Sequence, residues 1–267
     1  MRVLIGSPVR QEPAILALFL EALAGLRLDG IEPTWLFVDD NDDPVSSRLL
    51  EGWRPPAGEA HVHRPRTPSA TPYVRDEEAH RWCPELWWRV GDLKDHILDQ
   101  ALRHGFDACL LVDSDLVLRA DTLLWLLRAQ KDIVAEVFWT VWQPGDPSLP
   151  NVWAQGVYEL FPRQPGEELS EDEMVERASA WLGRLLQPGI YPVGGLGACT
   201  LISRRAIEAG VSYRPIPNLT YWGEDRHFCV RAQALGFDLW ADTHCPPEHL
   251  YRPSDAERAG CRAGRVV

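Results

Sequence analysis

The sequence predicts an α/β fold, in which helices flank an open, largely parallel sheet within a single domain. Short apolar runs alternate along the chain with helical patterns of apolar residues, and this order is typical of parallel strands joined by helices. The length of 267 residues suits one large α/β domain or two small ones. Ligands of such sheets bind beyond the carboxyl ends of the strands, so we expect the chemistry there.

The first half of the chain contains three short apolar runs and two clear helical patterns. Pro13 lies in the first turn of a pattern that keeps its apolar residues on one face, as expected for a helix. Segment 53–82 is rich in proline, and a loop of this length is usually functional or mobile. The predicted elements are a strand over 2–6 that ends in a Gly-Ser-Pro turn, a helix from Pro13, a strand over 34–40, a helix over 85–105 and a strand in DACLLVDSD.

The second half continues the alternation and adds one acidic helix. Ser170 followed by Glu173 forms a capping-box pattern, which predicts a peripheral helix near 170–187 with a solvated face. The other predicted elements are a helix in ADTLLWLLRAQ, an extended strand over 132–142, a strand in GACTLIS, a short helix in RRAIEAG, a helix in GEDRHFCVRAQALG and a last strand in FDLWADTH.

The charge balance is acidic, because 27 Lys and Arg residues against 39 Asp and Glu residues give a net charge of −12. Binding of nucleic acid through its phosphate backbone needs a basic face, so we expect no nucleic-acid partner. The apolar runs fall short of the roughly 20 residues of a membrane span, and the first residues lack a signal-peptide pattern. The scattered cysteines without a CxxC pair indicate buried reduced thiols. We therefore expect a cytoplasmic protein without a transmembrane segment, of open oligomeric state.

Asp113 and Asp115 form the sharpest motif, at the end of the predicted strand DACLLVDSD. With the two-residue period of a strand, both carboxylates point the same way. Converging carboxylates favour a bound cation, and oxygen ligands suit Mg²⁺ or Mn²⁺ completed by water and substrate phosphates. The alternative is structural, with Asp113 capping a turn and Asp115 solvated.

The turn after the first predicted strand, GSPVR, argues against two common nucleotide-binding classes. It is not the GxGxxG of a dinucleotide dehydrogenase, and no GxxxxGK[ST] of a P-loop NTPase follows it. The sequence therefore lacks the main motif of each of these two classes.

Three segments carry a resemblance to a known family: LFVDDNDD, LLVDSD and YWGEDRHFCVRAQALGFDLWADTHCPPEHLY. From Arg2 to about Tyr251 the chain resembles nucleotide-sugar-dependent glycosyltransferases of the GT-A fold, most closely bacterial and fungal members that act on mannose-like sugars. The resemblance implies a metal-dependent hexosyltransferase that uses Mn²⁺ or Mg²⁺ to move a sugar from a GDP- or UDP-sugar to an unknown hydroxyl acceptor. It implies a GT-A domain over 1–251, with a donor half over 1–115 and an acceptor half over 116–251. The tail over 252–267 has little apolar content, and we expect it to be disordered.

The resemblance also implies roles for individual residues. The donor nucleotide would contact Pro8, Arg10, Asp39, Asp40, Arg89, Lys94, Asp113 and Ser114. The metal would be held by Asp113, Asp115 and His249, with His244 as a rival for the histidine. Glu224 and Asp225 would face the acceptor sugar as the catalytic acids.

The chemistry of sugar transfer points to the same groups. A divalent ion neutralises the leaving diphosphate as a Lewis acid, and an inverting transfer needs a base beside the attacking hydroxyl. Asp225 or Glu224 would be that base, although the dipole of the predicted helix stabilises either as an anion and so lowers its basicity. In a retaining transfer the same acids would orient donor or acceptor, and the sequence leaves this open. The structural alternative is a helix cap with a dipole-complementing acid.

Side chains outside these motifs complete the predicted site. Trp222, beside the acid pair, could stack on a sugar ring of the acceptor. Gly195, in a Gly-rich turn, lets the backbone approach acceptor or donor. Three residues of the Pro-rich loop are candidates for a lid: Tyr73, Arg75 and His80.

Two other functions remain open from the sequence. A nucleotidyltransferase acting on a sugar phosphate would also use a parallel sheet and a metal, but GSPVRQEP lacks the Gly-rich, basic loop expected after its first strand. A non-catalytic module that binds a sugar nucleotide or a glycan would bind the same ligand without turnover.

Overall fold

The protein is described by a computed structural model that covers residues 1–78 and 80–263, and the side chains of 260–263 are not considered. The strands are β1 (Arg2–Val9), β2 (Glu32–Asp39), β3 (Glu59–His63), β4 (Ala108–Val112), β5 (Leu116–Val117), β6 (Ile133–Glu136), β7 (Trp139–Thr140), β8 (Leu149–Pro150), β9 (Ile190–Val193), β10 (Cys199–Ser203), β11 (Leu239–Asp242) and β12 (Glu248–His249). The helices are α1 (Pro13–Ala24), α2 (Pro44–Gly52), α3 (Pro84–Arg103), α4 (Thr122–Arg128), α5 (Glu171–Leu185), α6 (Arg204–Glu208), α7 (Glu224–Ala234) and α8 (Pro253–Ala263).

Within the described ranges, eight strands form one sheet in the order β3-β2-β1-β4-β10-β6-β11-β9. The pairs β2–β3, β1–β2, β1–β4 and β6–β11 are parallel, whereas β10 is antiparallel to both of its neighbours and β9 is antiparallel to β11. The predicted α/β class, with a largely parallel sheet in a single domain, is confirmed.

Alternate residues of the strands feed two hydrophobic cores, one on each face of the sheet. In β1, Leu4 packs into the core that includes Ile97 of α3 and Phe228 of α7. Its neighbours Val3 and Ile5 pack into the core with α1 and α4. This alternation follows from the two-residue period of a strand, and it fixes the register of the sheet because a slip by one residue would exchange the two cores.

Two predicted boundaries in the sheet are wrong. The Gly-Ser-Pro turn belongs to β1, where Pro8 pairs in register with Val38 of β2. β4 pairs with β1 only as far as Gly6, so Pro8 has a neighbour on one side, as the missing N–H of proline requires. The predicted strand over 132–142 is interrupted, because β6 ends at Glu136 and β7 turns away to pair with β8.

The expectation of a disordered tail over 252–267 is also wrong for the part that the structure describes. Residues Pro253–Ala263 form α8, and Ala256 and Ala259 pack against Ile15 of α1 and against Leu250. These small apolar residues lie three apart on one face, which gives a short helix a buried stripe with little total hydrophobicity. Residues 264–267 lie outside the described part of the chain.

The acidic helix occurs where it was predicted. α5 begins with a complete capping box, in which Ser170 and Glu173 each satisfy a backbone N–H of the other. Most of its residues are exposed, and Trp181 and Leu185 attach it to the core. Along 1–78 and 80–263, no helix combines the length and the apolar character needed to cross a bilayer.

Candidate active site

The predicted donor residues gather at the carboxyl ends of the parallel strands β1, β2 and β4. A cleft of about 440 Å³ opens at the end of β2, and its walls come from the β2–α2 connection and the Pro-rich loop. Asp39, Asp40 and Arg64 line it together with Asn41, Asp42, Pro44, Ser47, Arg48, Glu51, Pro65, Pro68 and Ser69. A second cleft of about 420 Å³ lies near Met1 and Ile31, at the amino ends of the strands, and contains none of the predicted residues. Because ligands of open α/β sheets bind at the carboxyl ends, the cleft beside Asp39 is the candidate site.

The two acids at the end of β2 are buried and paired. Asp39 accepts hydrogen bonds from Arg64, Asn41 and Ser47, at 3.0, 2.7 and 3.1 Å. Asp40 pairs with Arg89, whose Nη2 lies 2.5 Å from Oδ1. Asp40 and Arg89, each predicted to contact the donor nucleotide, therefore meet across 49 residues of sequence.

Arg10 braces the same edge of the cleft. Its guanidinium lies 2.5 Å from the carboxylate of Asp42 and donates at 3.0 Å to the carbonyl of Thr71 in the Pro-rich loop. Pro8, two residues earlier, is part of β1. Arg10 thus joins the end of β1 to the loop that covers the cleft.

The acids of the DxD motif lie in a turn and diverge, so the prediction that both point the same way is wrong. β4 ends at Val112, and the backbone N–H of Leu116 donates to the carbonyl of Asp113, which closes a tight turn around the buried Ser114. Inside a turn the alternation of a strand no longer applies. Asp113 faces Lys94, with Oδ1 and Nζ 3.6 Å apart, whereas Asp115 faces His249.

His249 is held beside Asp115 by a two-stranded ribbon. β12 pairs with β5, with His249 opposite Leu116, and the N–H of Leu250 donates to the carbonyl of Asp115 at 2.8 Å. Nε2 of His249 lies 3.5 Å from Oδ2 of Asp115, and Nδ1 shares a hydrogen bond of 2.7 Å with the hydroxyl of Thr140. The ribbon therefore fixes both the position and the orientation of the imidazole.

The rival histidine lies elsewhere. Nδ1 of His244 is 2.9 Å from Asp242, and its ring stacks on Trp125 with centroids 4.0 Å apart. These contacts hold His244 against α4, so of the two histidines it is His249 that the fold brings to the DxD motif.

Lys94 is the centre of the site. The side chain rises from α3, is 2 % exposed, and its Nζ lies 2.9 Å from Oε1 of Glu224 and 3.0 Å from Oδ1 of Asp225. With Asp113 at 3.6 Å, one ammonium faces three carboxylates. Lys94 therefore joins the DxD turn to the acid pair of α7. Its predicted contact with the donor nucleotide stays a prediction.

The electrostatics of this buried group favour a charged lysine. Burial alone would lower the pKa of Lys94, but the three carboxylates outweigh it and raise that pKa well above its ordinary value. Burial raises the pKa of Asp113 and of Glu224, and Lys94 offsets only part of that rise. For Asp115 burial is outweighed by His249, His80 and Arg75, which hold its pKa below its ordinary value.

The two acids that begin α7 differ in access. The side chain of Glu224 is 11 % exposed and that of Asp225 is 26 % exposed. Asp225 also lies against Gly197, where a Cβ would overlap its carboxylate. Gly195 of the same turn is buried, and a Cβ there would overlap the indole of Trp153. That this turn lets the backbone approach acceptor or donor stays a prediction.

Trp222 lies at the surface next to the acid pair, with 56 % of the residue exposed. Its ring centroid is 6.0 Å from that of Trp87 and 6.3 Å from that of Tyr158. We call Trp87, Tyr158 and Trp222 the aromatic cluster. It lies next to the acid pair that begins α7, since Tyr158 is within electrostatic range of Glu224 and Asp225.

The Pro-rich loop is anchored near the DxD turn. The hydroxyl of Tyr73 donates to Nδ1 of His80 at 2.6 Å, and Nε2 of His80 donates to the carbonyl of Tyr251 at 2.5 Å. Burial lowers the pKa of His80. Arg75 pairs through Nε with Glu12, while its Nη1 and Nη2 are buried without an acceptor in the described part of the chain. The N–H groups of both Nη1 and Nη2 are thus available to an anion near Asp115.

Several residues of the site escaped the sequence analysis. Thr140 and Tyr158 lie in segments with no motif. Gly197 lies in the Gly-rich turn of which the sequence analysis named only Gly195, and Arg226 follows the acid pair as an ordinary helical arginine would. Lys94 did not escape, since it was predicted as a donor contact. It also has a further signal in the sequence, because Lys94 and Lys131 are the two lysines of the chain and Lys94 falls on the buried face of α3.

A metal ion fits only a part of the predicted ligand set. In the chain as described, no group of three or more His, Cys, Asp and Glu side chains is placed to hold a metal. Asp113 turns to Lys94, which leaves Asp115 and His249, one carboxylate and one imidazole 3.5 Å apart. A divalent ion that takes its other ligands from water and a diphosphate needs one or two protein groups, so this pair fits such an ion.

Comparison with known proteins supports the fold. No protein-family model matches this chain, and no curated protein does. Among solved structures it is similar to S. aureus TarS 1-349, with 16 % identity, a TM-score of 0.55, and coverage of 96 % of this chain and 62 % of that chain. TarS 1-349 in complex with UDP gives 14 % identity, a TM-score of 0.54, and coverage of 92 % and 59 %.

The complex of TarS 1-349 with UDP-GlcNAc gives 15 % identity, a TM-score of 0.50, and coverage of 94 % of this chain and 60 % of that chain. The chain therefore spans less than two thirds of the TarS structures that it matches. At this identity the similarity establishes the fold, and it agrees with the predicted class.

Proposed function

We propose that this protein is a metal-dependent glycosyltransferase that moves a sugar from a nucleoside diphosphate sugar to a hydroxyl group of an acceptor. One observation carries the proposal: Lys94 draws Asp113 of the DxD turn and Asp225 of α7 to within 3.6 and 3.0 Å of the same ammonium. The DxD turn, which carries the proposed diphosphate site at Asp115, and the proposed base of α7 therefore lie next to the same ammonium.

The donor half of the proposal has independent support. The cleft beside Asp39 and Asp40 lies where open α/β sheets bind nucleotides, and its volume of about 440 Å³ is in the range of small-molecule sites. The fold is that of TarS, which has been solved in complex with UDP and with UDP-GlcNAc. We assign the donor to a UDP- or GDP-sugar, with its base toward the Asp39 cleft and its diphosphate toward Asp115.

Asp115 and His249 would hold a divalent ion, which when bound supplies Lewis-acid neutralisation of the diphosphate. The free guanidinium donors of Arg75 lie on the same side and would bind phosphate oxygens. Thr140 would keep Nδ1 of His249 occupied, so that Nε2 faces the ion.

Asp225 is the proposed base of an inverting transfer. It is the more exposed acid of its pair, and Lys94 holds one of its oxygens while the other faces the Gly197 turn. Glu224, buried beneath it, would fix Lys94 in place. Asp225→Asn should keep donor binding and lose transfer; unchanged turnover would remove Asp225 from this role, and retention of the anomeric configuration in the product would exclude the inverting mechanism.

The deciding experiment is a panel of UDP-, GDP- and dTDP-sugars measured by thermal shift with and without Mn²⁺, followed by assay of the released phosphates. A ligand at about 100 times its dissociation constant stabilises the fold by about 2.7 kcal/mol, so the right nucleotide should stand out. A glycosyltransferase releases the nucleoside diphosphate, a nucleotidyltransferase forms or consumes pyrophosphate, and a binding module releases neither.

The Asp115→Asn variant gives this experiment its control. It should fold normally and lose the Mn²⁺-dependent part of the shift, while Asp121→Asn, on the surface at the start of α4, should behave as wild type. Equal Mn²⁺-dependent shifts in wild type and Asp115→Asn would disprove the proposed metal site.

A further inference from the structure

Arg226 of α7 is a buried cation whose hydrogen-bonding capacity is unused. The residue is 1 % exposed, and Nε, Nη1 and Nη2 all lack an acceptor within the part of the chain that the structure describes. Burial of a guanidinium with unpaired donors is costly, and burial lowers the pKa of Arg226. An arginine kept in this state one residue after the proposed base calls for an explanation.

The aromatic cluster explains how the cation is tolerated. The Cζ atom of Arg226 lies over the ring of Tyr158 at 3.6 Å and over the ring of Trp222 at 4.8 Å. Contact with aromatic rings stabilises a guanidinium. The planes of the two rings stand at 86° to each other, so at most one of them stacks flat on the group. The N–H donors of Arg226 point outward in the plane of the guanidinium and have no acceptor in the described part of the chain.

A second arginine on the same helix shows what a structural role looks like. Arg231 donates to the backbone carbonyls of Ser212 and Arg214, and so pins the segment that precedes α7. Arg226 lies five residues earlier on the helix, about 1.4 turns away, and has no such contact in the described part of the chain. Its guanidinium contacts two aromatic rings and, in the described part of the chain, no hydrogen-bond acceptor.

The position of Arg226 is that of the proposed acceptor side. It follows Asp225 directly, and the hydroxyl of Tyr158 is within the electrostatic range of Arg226, Asp225 and Glu224. The rings that cover it are half exposed, at 48 % for Tyr158 and 56 % for Trp222. Trp222 also lies in the irregular segment between α6 and α7, so a rotation of one exposed indole would uncover the guanidinium.

We propose that Arg226 binds an oxyanion, a phosphate or carboxylate group, carried by the acceptor, and that Trp222 moves aside to admit it. This inference rests on the proposed function, because it names the class of acceptor that the glycosyltransferase would use. A planar guanidinium offers two parallel N–H bonds to either group, which would orient the acceptor hydroxyl toward Asp225. Lys94, paired with Asp225, limits the repulsion between the acceptor anion and the base.

The test is a ligand-observed NMR titration with methyl phosphate, acetate and methanol, in which the donor site is first filled with diamagnetic Mg²⁺ and the nucleoside diphosphate selected by the panel. Methyl phosphate or acetate should bind wild type, and methanol should not; which anion binds more tightly identifies the group. Arg226→Gln should weaken anion binding at least tenfold. Trp222→Ala should bind at least as tightly as wild type, because no indole has to move. Arg204→Gln, a surface arginine of α6, is the matched control and should leave binding unchanged.

Three results would overturn the inference. The first is that wild type and Arg226→Gln bind the anions with equal affinity. The second is that neither wild type nor Trp222→Ala binds an anion. The third is that methanol binds as tightly as the anions. Binding and release of the nucleotide are measured on the same samples, so a protein that turns over donor normally but fails the titration refutes the inference alone. A protein that binds no nucleotide refutes the proposed function. If that protein still binds the anion in an Arg226-dependent way, the anion site stands, but it can no longer be assigned to an acceptor.

A measurement without substitution at Arg226 covers the case in which Arg226→Gln does not fold. Phenylglyoxal modification of wild type and Trp222→Ala, followed by peptide mass spectrometry, should label Arg226 faster in Trp222→Ala. Methyl phosphate or acetate should protect it from modification. Labelling of Arg226 that neither anion slows would contradict the proposal.

Discussion

The ammonium of Lys94 lies 2.9 Å from a carboxylate oxygen of Glu224, a residue 130 positions later in the chain. The same ammonium reaches Asp113 and Asp225. One buried cation therefore sets the distance between the end of β4 and the start of α7, the two segments that carry the proposed donor and acceptor chemistry. The geometry of the site depends on this single side chain.

Lys94→Met should destabilise the protein strongly, because it leaves buried carboxylates without their counter-charge. Breaking a buried ion pair from one side costs about 3–5 kcal/mol, and urea denaturation at pH 7 measures it. The double variant Lys94→Met/Glu224→Gln should recover part of the loss, since it removes one of the stranded charges. Lys131→Met replaces the other lysine, which stacks on Trp240. It should change stability by less than Lys94→Met or the double variant. A Lys94→Met protein as stable as Lys131→Met would show that the buried network contributes little.

His249 and His244 provide a matched pair for the proposed metal site. His249→Asn removes the imidazole beside Asp115 and should lower Mn²⁺ affinity. Removal of a residue that only orients a metal ligand typically costs about 10–100-fold in affinity, so removal of the ligand itself should cost at least as much. Thr140→Val should give a smaller loss by freeing the imidazole to rotate. His244→Asn should have no effect, because that residue contacts Asp242 and Trp125. Isothermal titration with Mn²⁺ in the presence of UDP or GDP measures all three, and an equal loss in the two histidine variants would contradict the assignment.

Gly197→Ala should impair transfer without unfolding the protein. The added Cβ would stand 2.7 Å from Cγ of Asp225, so the carboxylate must move away from its position beside Lys94. We expect turnover to fall at least tenfold while the dissociation constant of the donor stays within twofold. Gly183→Ala in α5 is the control, since nothing lies within 4 Å of its Cβ and replacing a helical glycine stabilises by about 0.5–1 kcal/mol. Normal turnover in Gly197→Ala would mean that the placement of Asp225 is not limiting.

Much of the fold could be predicted because it depends on local patterns. The apolar runs of β2 and β4 and the capping box at Ser170 are readable within a few residues. Because these patterns span only a few residues, they could not predict the geometry of the site. The divergence of Asp113 and Asp115 depends on where β4 stops, and α8 is held by a stripe of small residues too weak to stand out in the sequence.

The resemblance placed Asp115 and His249 in one site, but the contacts that define the chemistry could not be derived from local patterns, because they join distant segments. His249 reaches Asp115 through the pairing of two-residue strands, which have no periodicity to detect. Lys94 and Arg226 each fit an amphipathic or polar helix, and only the assembled fold shows that one is surrounded by carboxylates and the other has no acceptor in its described surroundings. Their burial is a property of the packing between α3, α7 and the irregular segment before α7.

Glu136→Gln should stabilise the protein at neutral and alkaline pH. Glu136 of β6 is fully buried with Asp242 opposite it on β11, and burial, then the charge of Asp242, raises its pKa from 4.5 to about 9. Below about pH 4.5 this carboxyl is protonated in both the folded and the unfolded chain. Between that pH and about 9 the unfolded chain loses the proton and the folded chain keeps it, so this group lowers the free energy of unfolding by up to about 1.4 kcal/mol per pH unit. Glutamine has nearly the same shape as glutamate and has no titratable proton. The stability gain of Glu136→Gln, measured by urea denaturation, should therefore grow from pH 5 to pH 8. The exposed control Glu176→Gln should be as stable as wild type at each pH. A gain that is the same at pH 5 and pH 8 would show that Glu136 does not hold its proton in the folded state.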